Sequence, residues 1–319
     1  MQEGLDTRAQ PTREQRVSFA HPTRTDPRGV VPTPNDVAAF MASLIPDHGG
    51  DAVSILDPAA GTAVLACSAV HEFIRRGARR IHVLAYEIEP VLSQLAMNAL
   101  AGEQAERRDT GVDLTFEVRR HDFLENRSLA DRTPIKGSSK VDVAILNPPY
   151  YKIGKGGLYS RPAGRPVQSS PNVYTLFLAR TIRFIREGGS VVAIAPRSWF
   201  SGSYFRGFRS EILAKADLVR VHSFIRRDEA FKEAGVLQET TVFALRRRST
   251  PTRPDVTLSV SLGRADLSTP RTFIVPWRTL NPDGPGGVIR VPETVGQLEA
   301  IEDLGVSLAV HIPPSTPGN

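Results

Sequence analysis

A single cysteine, Cys67, excludes an internal disulfide and any cysteine-based zinc site. The seven histidines are scattered without metal-ligand spacing, so no metal centre is expected. The longest stretch without a charged side chain, Leu304 to Asn319, is 16 residues with three prolines, too short and too broken to span a bilayer. The Arg- and Pro-rich first 30 residues lack the apolar segment of a secretory signal. A reducing, cytoplasmic setting without membrane attachment is therefore expected. The dinucleotide fingerprint GxGxxG is missing as well, which argues against a nicotinamide or flavin site of that type.

What the chain does have is a core and an uneven charge. Its 319 residues are 40% hydrophobic, enough to bury a sizeable interior. The net charge of +6 conceals an asymmetry. Residues 151–250 carry 18 basic and 7 acidic side chains, against 17 and 20 in residues 1–150 and 5 and 7 in residues 251–319. A basic block of this kind is the footprint of a polyanion-binding face or of a solvated surface.

Residues 1–28, with five arginines and no apolar periodicity, read as a flexible basic arm. Beyond them, β-branched runs at 53–57, 81–87, 114–118, 141–146, 190–195, 218–224 and 240–245 alternate with helical patterns at 35–45, 63–76, 90–101, 173–187 and 204–215. Such alternation predicts an α/β domain with a mostly parallel sheet over residues 29–248. No long helix separates 218–224 from 240–245, so the latter is expected as an antiparallel edge strand. Ten of the 25 prolines fall after residue 250, which places a boundary there and leaves 249–319 as a Pro-rich extension.

Three strand ends carry the chemistry. Asp57-Pro58-Ala59-Ala60-Gly61-Thr62 closes the first strand and opens a helix, where small residues let backbone N–H groups approach a ligand. Glu87 ends the second strand, a position suited to accepting ribose hydroxyls, and Asp122 follows the third; both could equally be solvated turn acids. Asn147-Pro148-Pro149-Tyr150 follows the apolar run at 141–146. Its prolines fix the backbone and leave rigid carbonyls. The Asn147 amide oxygen and a proline carbonyl can together hold both hydrogens of an exocyclic amine, while the Tyr150 ring can stack on the base bearing it. Cys67, on a helical pattern, reads as core rather than nucleophile.

These residues resemble the adenine-specific N-6 DNA methyltransferases of restriction–modification systems, of the gamma class. Asn147 to Tyr150 resembles their catalytic motif. Asp57 to Thr62 resembles their S-adenosylmethionine motif, with Ala60 and Ala63 standing where that motif has cysteine and a final glycine. Val31-Pro32-Thr33-Pro34 resembles the segment that precedes it. The resemblance implies a class I methyltransferase with a Rossmann-like mixed sheet and helices on both faces. It assigns S-adenosylmethionine to Thr33, Asp57, Ala59, Gly61, Glu87 and Asp122, catalysis to Asn147, Pro148, Pro149 and Tyr150, and base stacking to Tyr150 and Phe231. Asn172 to Gly189 and Val191 to Phe200 resemble the family's next helix and strand. DNA is the implied partner, with a separate specificity or nuclease subunit as a further one. Methylation of a protein glutamine or an RNA base remains an alternative, as does a non-catalytic DNA-binding subunit or degenerate remnant. Residues 152–171 read as a basic loop beside the catalytic motif, and 249–319 as short for a target-recognition region.

Overall fold

The computed structural model describes residues 32–125, 140–153, 172–225, 239–292 and 296–297. The expected arm, almost all of the 152–171 loop and Phe231 lie outside the described residues. The described chain opens with α1 (Asn35–Ser43), β1 (Ala52–Asp57), α2 (Val64–Arg75), β2 (Arg80–Tyr86), α3 (Pro90–Glu106) and β3 (Asp113–Arg119). It continues through β4 (Val141–Leu146), α4 (Val173–Phe184), β5 (Ile185–Pro196), α5 (Ser198–Ser201), α6 (Arg206–Lys215), β6 (Ala216–Phe224) and β7 (Thr240–Arg247). Two further strands, β8 (Val256–Ser261) and β9 (Arg271–Val275), precede a short helix, α7 (Trp277–Leu280).

The strands form one sheet of order β3-β2-β1-β4-β5-β7-β6-β8-β9. β1 pairs in parallel with β2 on one side and β4 on the other, so the strand order reverses between β1 and β4. In open α/β sheets that reversal leaves a crevice beyond the carboxyl ends of the strands, where ligands bind. Apolar residues of α1, α2 and α3 cover one face of the sheet, and those of α4, α5 and α6 cover the other. The strands accordingly read as near-continuous hydrophobic runs rather than as alternating ones.

Three features differ from expectation. The segment 240–245 is antiparallel, but it lies between β5 and β6 rather than at an edge. All six of its residues are buried, which an edge position could not supply. Residues after 250 also add to the same sheet, since β8 pairs with β6 and β9 with β8. The prolines there punctuate strands: Pro254 precedes β8, while Pro270 and Pro276 bracket β9. Within the expected helix 173–187, strand β5 begins at Ile185. Gly189, within β5, is obligatory where that strand passes β4, because a Cβ there would lie 2.5 Å from the Asp142 carbonyl oxygen.

Candidate active site

The turn after β1 is built from small residues, and its geometry shows why. Gly61 has a φ of +54°, with open space where a side chain would project. The Ala60 N–H donates to the Tyr86 carbonyl at 2.9 Å, tying the turn to the end of β2. Ala63, at the N-cap of α2, adopts a left-handed conformation with φ 65° and ψ 21°, unusual for a residue with a Cβ. No N-cap side chain bonds the start of α2, although the buried Asp57 carboxylate interacts with the Ala66 N–H of its first turn.

Glu87 is fastened to this turn. Its Oε2 accepts the Gly61 N–H at 2.8 Å and its Oε1 accepts the Glu89 N–H at 2.9 Å. Burial pushes its carboxyl above the ordinary carboxylate range, against the backbone donors that favour its charge. The Ile88 N–H is a third backbone donor to this carboxylate. Asp57 sits beneath the turn, fully buried, and accepts the Ala59 N–H at 3.3 Å. Burial, reinforced by the Glu87 charge, pushes its carboxyl up to about 7.

Asp122 lies across the cleft, its Oδ1 accepting the Leu124 N–H at 2.8 Å. Beside it, Phe123 packs against Tyr86 and Phe177 with ring centroids 5.3 and 5.7 Å away.

Asn147 projects from the end of β4 and is held at both ends of its amide. Its Nδ2 donates to Thr33 Oγ1 at 2.9 Å, and the Tyr150 hydroxyl lies 2.5 Å from its Oδ1. That hydroxyl is also 3.0 Å from the Ile194 carbonyl of β5, so one proton is shared between two acceptors. Burial raises the Tyr150 phenol well above its usual value, and the ring meets Tyr174 edge-on at 6.3 Å.

These residues enclose a cavity of about 180 Å³. Thr33, Ala59, Gly61, Glu87, Asp122, Asn147 and Pro149 of the expected set line it. Asp57, Pro148 and Tyr150 do not: the first two are buried, and the Tyr150 ring turns toward Tyr174. The sequence reading missed the apolar walls, Ile88, Leu92, Phe123 and Phe177. Ile88 is 60% exposed, and its one signal in the sequence is an apolar residue between two acids. Cys67 packs against the core, and burial first of all pushes its thiol up to about 12, which leaves no thiolate nucleophile at neutral pH. The cavity thus combines a diol acceptor, a second carboxylate, apolar walls for a planar ring and an oriented amide at one end. That set fits an adenosine-bearing group next to an amine acceptor.

An Eco57I restriction-modification methylase family model matches residues 82–231. The chain is 32% identical over 251 residues to the type II methyltransferase M.PstI of Providencia stuartii, covering 77% of this chain and 49% of that protein. It is 31% identical over 237 residues to the type II methyltransferase M.BsuBI of Bacillus subtilis, covering 72% of this chain and 45% of that one. The chain therefore spans about half the length of these relatives. A solved Listeria monocytogenes protein, assigned to the class I S-adenosylmethionine-dependent methyltransferases, superimposes with a TM-score of 0.55 at 18% identity, over 76% of this chain and 72% of that one. The fold is that of the class I methyltransferases, and residues 82–231 match the Eco57I restriction-modification methylase family model.

Proposed function

We propose that this chain methylates DNA at the exocyclic N-6 amine of adenine, using S-adenosylmethionine, as the modification component of a restriction–modification system. The observation that carries this reading is the placement of Asn147 at one end of the cavity that Gly61 and Glu87 also line. When bound, S-adenosylmethionine supplies an electrophilic methyl group. Glu87 accepts the ribose hydroxyls, Asp122 accepts the adenine amine, and Ile88 and Phe123 hold the ring between apolar surfaces. The positive N-terminal end of α2 favours the carboxylate of the amino-acid part.

In the structure Asn147 Oδ1 accepts the Tyr150 hydroxyl. In the reaction it accepts one hydrogen of the target amine, and a neighbouring proline carbonyl accepts the second. Held so, the nitrogen lone pair turns toward the methyl group, and the acceptors stabilise the charge that develops on nitrogen. Thr33 and Tyr150 act through Asn147, as positioning residues. Stacking on an extruded base needs an exposed ring face, so Tyr150 serves that role only if its ring leaves Tyr174. DNA is the proposed substrate, and a specificity or nuclease subunit a further partner; the type II methyltransferase relatives support that setting. Among the described residues no helix is long and apolar enough to cross a membrane.

The test is incubation with labelled S-adenosylmethionine and, in parallel, duplex DNA, RNA and glutamine-containing peptide, followed by digestion and mass analysis. Label in N-6-methyladenine from DNA supports the reading; label confined to RNA or to glutamine replaces it.

A further inference from the structure

On the face of the sheet covered by α1 and α2, at the end away from the cavity, three arginines gather around His48 and a fourth, Arg220, lies beside two of them. Ser190 of β5 is directly opposite Arg246 of β7, and residues opposed in an antiparallel pair share a face. Arg220 of β6 is opposite Ala244, two residues along β7 from Arg246, which makes the two arginines diagonal neighbours on that face. His48, from the connection after α1, closes over them with its Nε2 2.9 Å from Ser190 Oγ. Arg76 and Arg186 add two more guanidinium groups, and together with Arg246 they oppose protonation of His48. Burial is the larger cause and brings its pKa to about 4, so the ring is neutral at physiological pH.

The acids nearby are already engaged. Asp142 is taken by Arg186 and by Ser54. Glu72 is taken by Arg75 and Arg76. Asp217, opposite Arg246 in the β6–β7 register, bonds Arg253 at 2.9 Å and lies 3.5 Å from Arg248. Arg246 Nε is buried without an acceptor among the described residues. Arg220 is half-buried, and burial, Arg76 and Arg246 all lower its pKa. Asp142 and Glu72 thereby neutralise Arg186 and Arg76, whereas Arg220 and Arg246 have no acid partner among the described residues. Like charges side by side in a partly desolvated place repel one another, and a bound anion relieves them.

We infer that Arg220 and Arg246, with Arg76, Arg186 and the His48–Ser190 pair around them, form a second binding site that takes a phosphate group. Guanidinium forks match the oxygens of a tetrahedral oxyanion, and more than one of them suits a dianion better than a single carboxylate. The site is separate from the cavity. Ser190 is four residues along β5 from Ile194, whose carbonyl meets Tyr150, which is about 13 Å at the usual rise per residue. The inference does not depend on the methyl-transfer reading.

Titration of the full chain with inorganic phosphate, at ionic strength matched with sodium chloride, tests it. Phosphate should bind the wild type and raise its Tm above the chloride control. The double substitution Arg220→Met with Arg246→Met should weaken phosphate binding about tenfold or more. A single Arg246→Lys, which keeps stem and charge but loses the fork, should show a smaller loss and guards against misfolding of the double variant. A parallel titration with duplex DNA separates the source of the phosphate. Weaker DNA binding with a salt slope shallower by about 1 to 2 assigns a backbone phosphate, and unchanged DNA binding assigns a free or small-molecule phosphate. No phosphate binding by the wild type, or equal binding by wild type and variants, overturns the inference.

Discussion

Asn147 and Thr33 are 114 residues apart in the chain, yet the Asn147 amide nitrogen donates to the Thr33 hydroxyl at 2.9 Å. Thr33 lies just before α1, and α1 packs against α2 and β5. The segment ahead of the cofactor turn therefore sets the orientation of the proposed catalytic amide. A hydroxyl in this role should leave a kinetic signature different from one that touches the cofactor. Thr33→Val removes the acceptor at nearly constant volume and should lower kcat by about tenfold, the scale of one lost hydrogen bond, with the cofactor Kd unchanged. Thr33→Ser should restore most of the rate. Tyr150→Phe, which frees Asn147 Oδ1, should also lower kcat without changing cofactor affinity. A weakened cofactor Kd in Thr33→Val would instead make Thr33 a cofactor contact.

Glu87 holds the turn and faces the cavity at once. Glu87→Ala should weaken S-adenosylmethionine binding by about 1.5–3 kcal/mol, the range for hydrogen bonds to a charged group. It should also lower the urea midpoint, because the Gly61 and Glu89 N–H groups lose their acceptor. Calorimetry and urea titration read the two effects separately. Unchanged affinity with a lowered midpoint would leave Glu87 a purely structural acid.

His222 gives acid sensitivity a specific source. It is buried in β6, with Nδ1 2.9 Å from Ser259 Oγ and Nε2 3.1 Å from Ser261 Oγ, and so pins β8 to β6. Burial lowers its pKa to about 3, from 6.5 for an unperturbed ring. The folded state thus holds the neutral ring, and the unfolded chain takes up a proton first. Its contribution is complete above pH 6.5 and is lost as pH falls toward 3, at roughly 1.4 kcal/mol per pH unit. Going from pH 7 to 5 should reduce wild-type stability more than that of His222→Gln, by about 2 kcal/mol. Urea midpoints at the two pH values measure this. Parallel losses in both proteins would remove His222 as the cause.

Ala63 tests whether the altered cofactor motif has lost its purpose. Its left-handed backbone strains any residue with a Cβ by about 1–2 kcal/mol, but its methyl group is fully buried. Ala63→Gly relieves the strain and gives up the methyl contacts and some chain entropy, so its stability should stay within about 1 kcal/mol of wild type. Ala63→Val, β-branched at a positive φ, should destabilise by about 2 kcal/mol or more and disrupt cofactor binding. Denaturant titration of both variants decides this. Tolerance of valine would mean that the turn is not held in this conformation.

The strand framework was legible because its strands are short apolar runs ending in Gly, Pro or polar clusters; β4 falls on the expected 141–146. The lateral order of β7 was not, because burial on both faces is a property of neighbours that sequence spacing does not record. β8 and β9 were obscured by the prolines that bound them, which read as a compositional change. In the cavity, Gly61, Glu87 and Asn147 announced themselves through residue type at a strand end. Ile88 and Phe123 did not, since an apolar wall looks like any other apolar residue until the cleft has formed. The Tyr150 ring was expected over a base, and its turn toward Tyr174 follows from core packing that no local motif reveals.

The central claim, that Asn147 presents the acceptor for an adenine amine, is tested most directly by product analysis with Asn147→Ala. Wild type and variant are incubated with duplex DNA and labelled S-adenosylmethionine, and the DNA is digested to nucleosides for mass analysis. Wild type should yield N-6-methyladenine. The variant should yield it at least about 100-fold more slowly, as for loss of a preorganised charge-stabilising partner, while binding the cofactor with unchanged affinity. Label appearing on cytosine, or a variant that methylates adenine at the wild-type rate, would contradict the account.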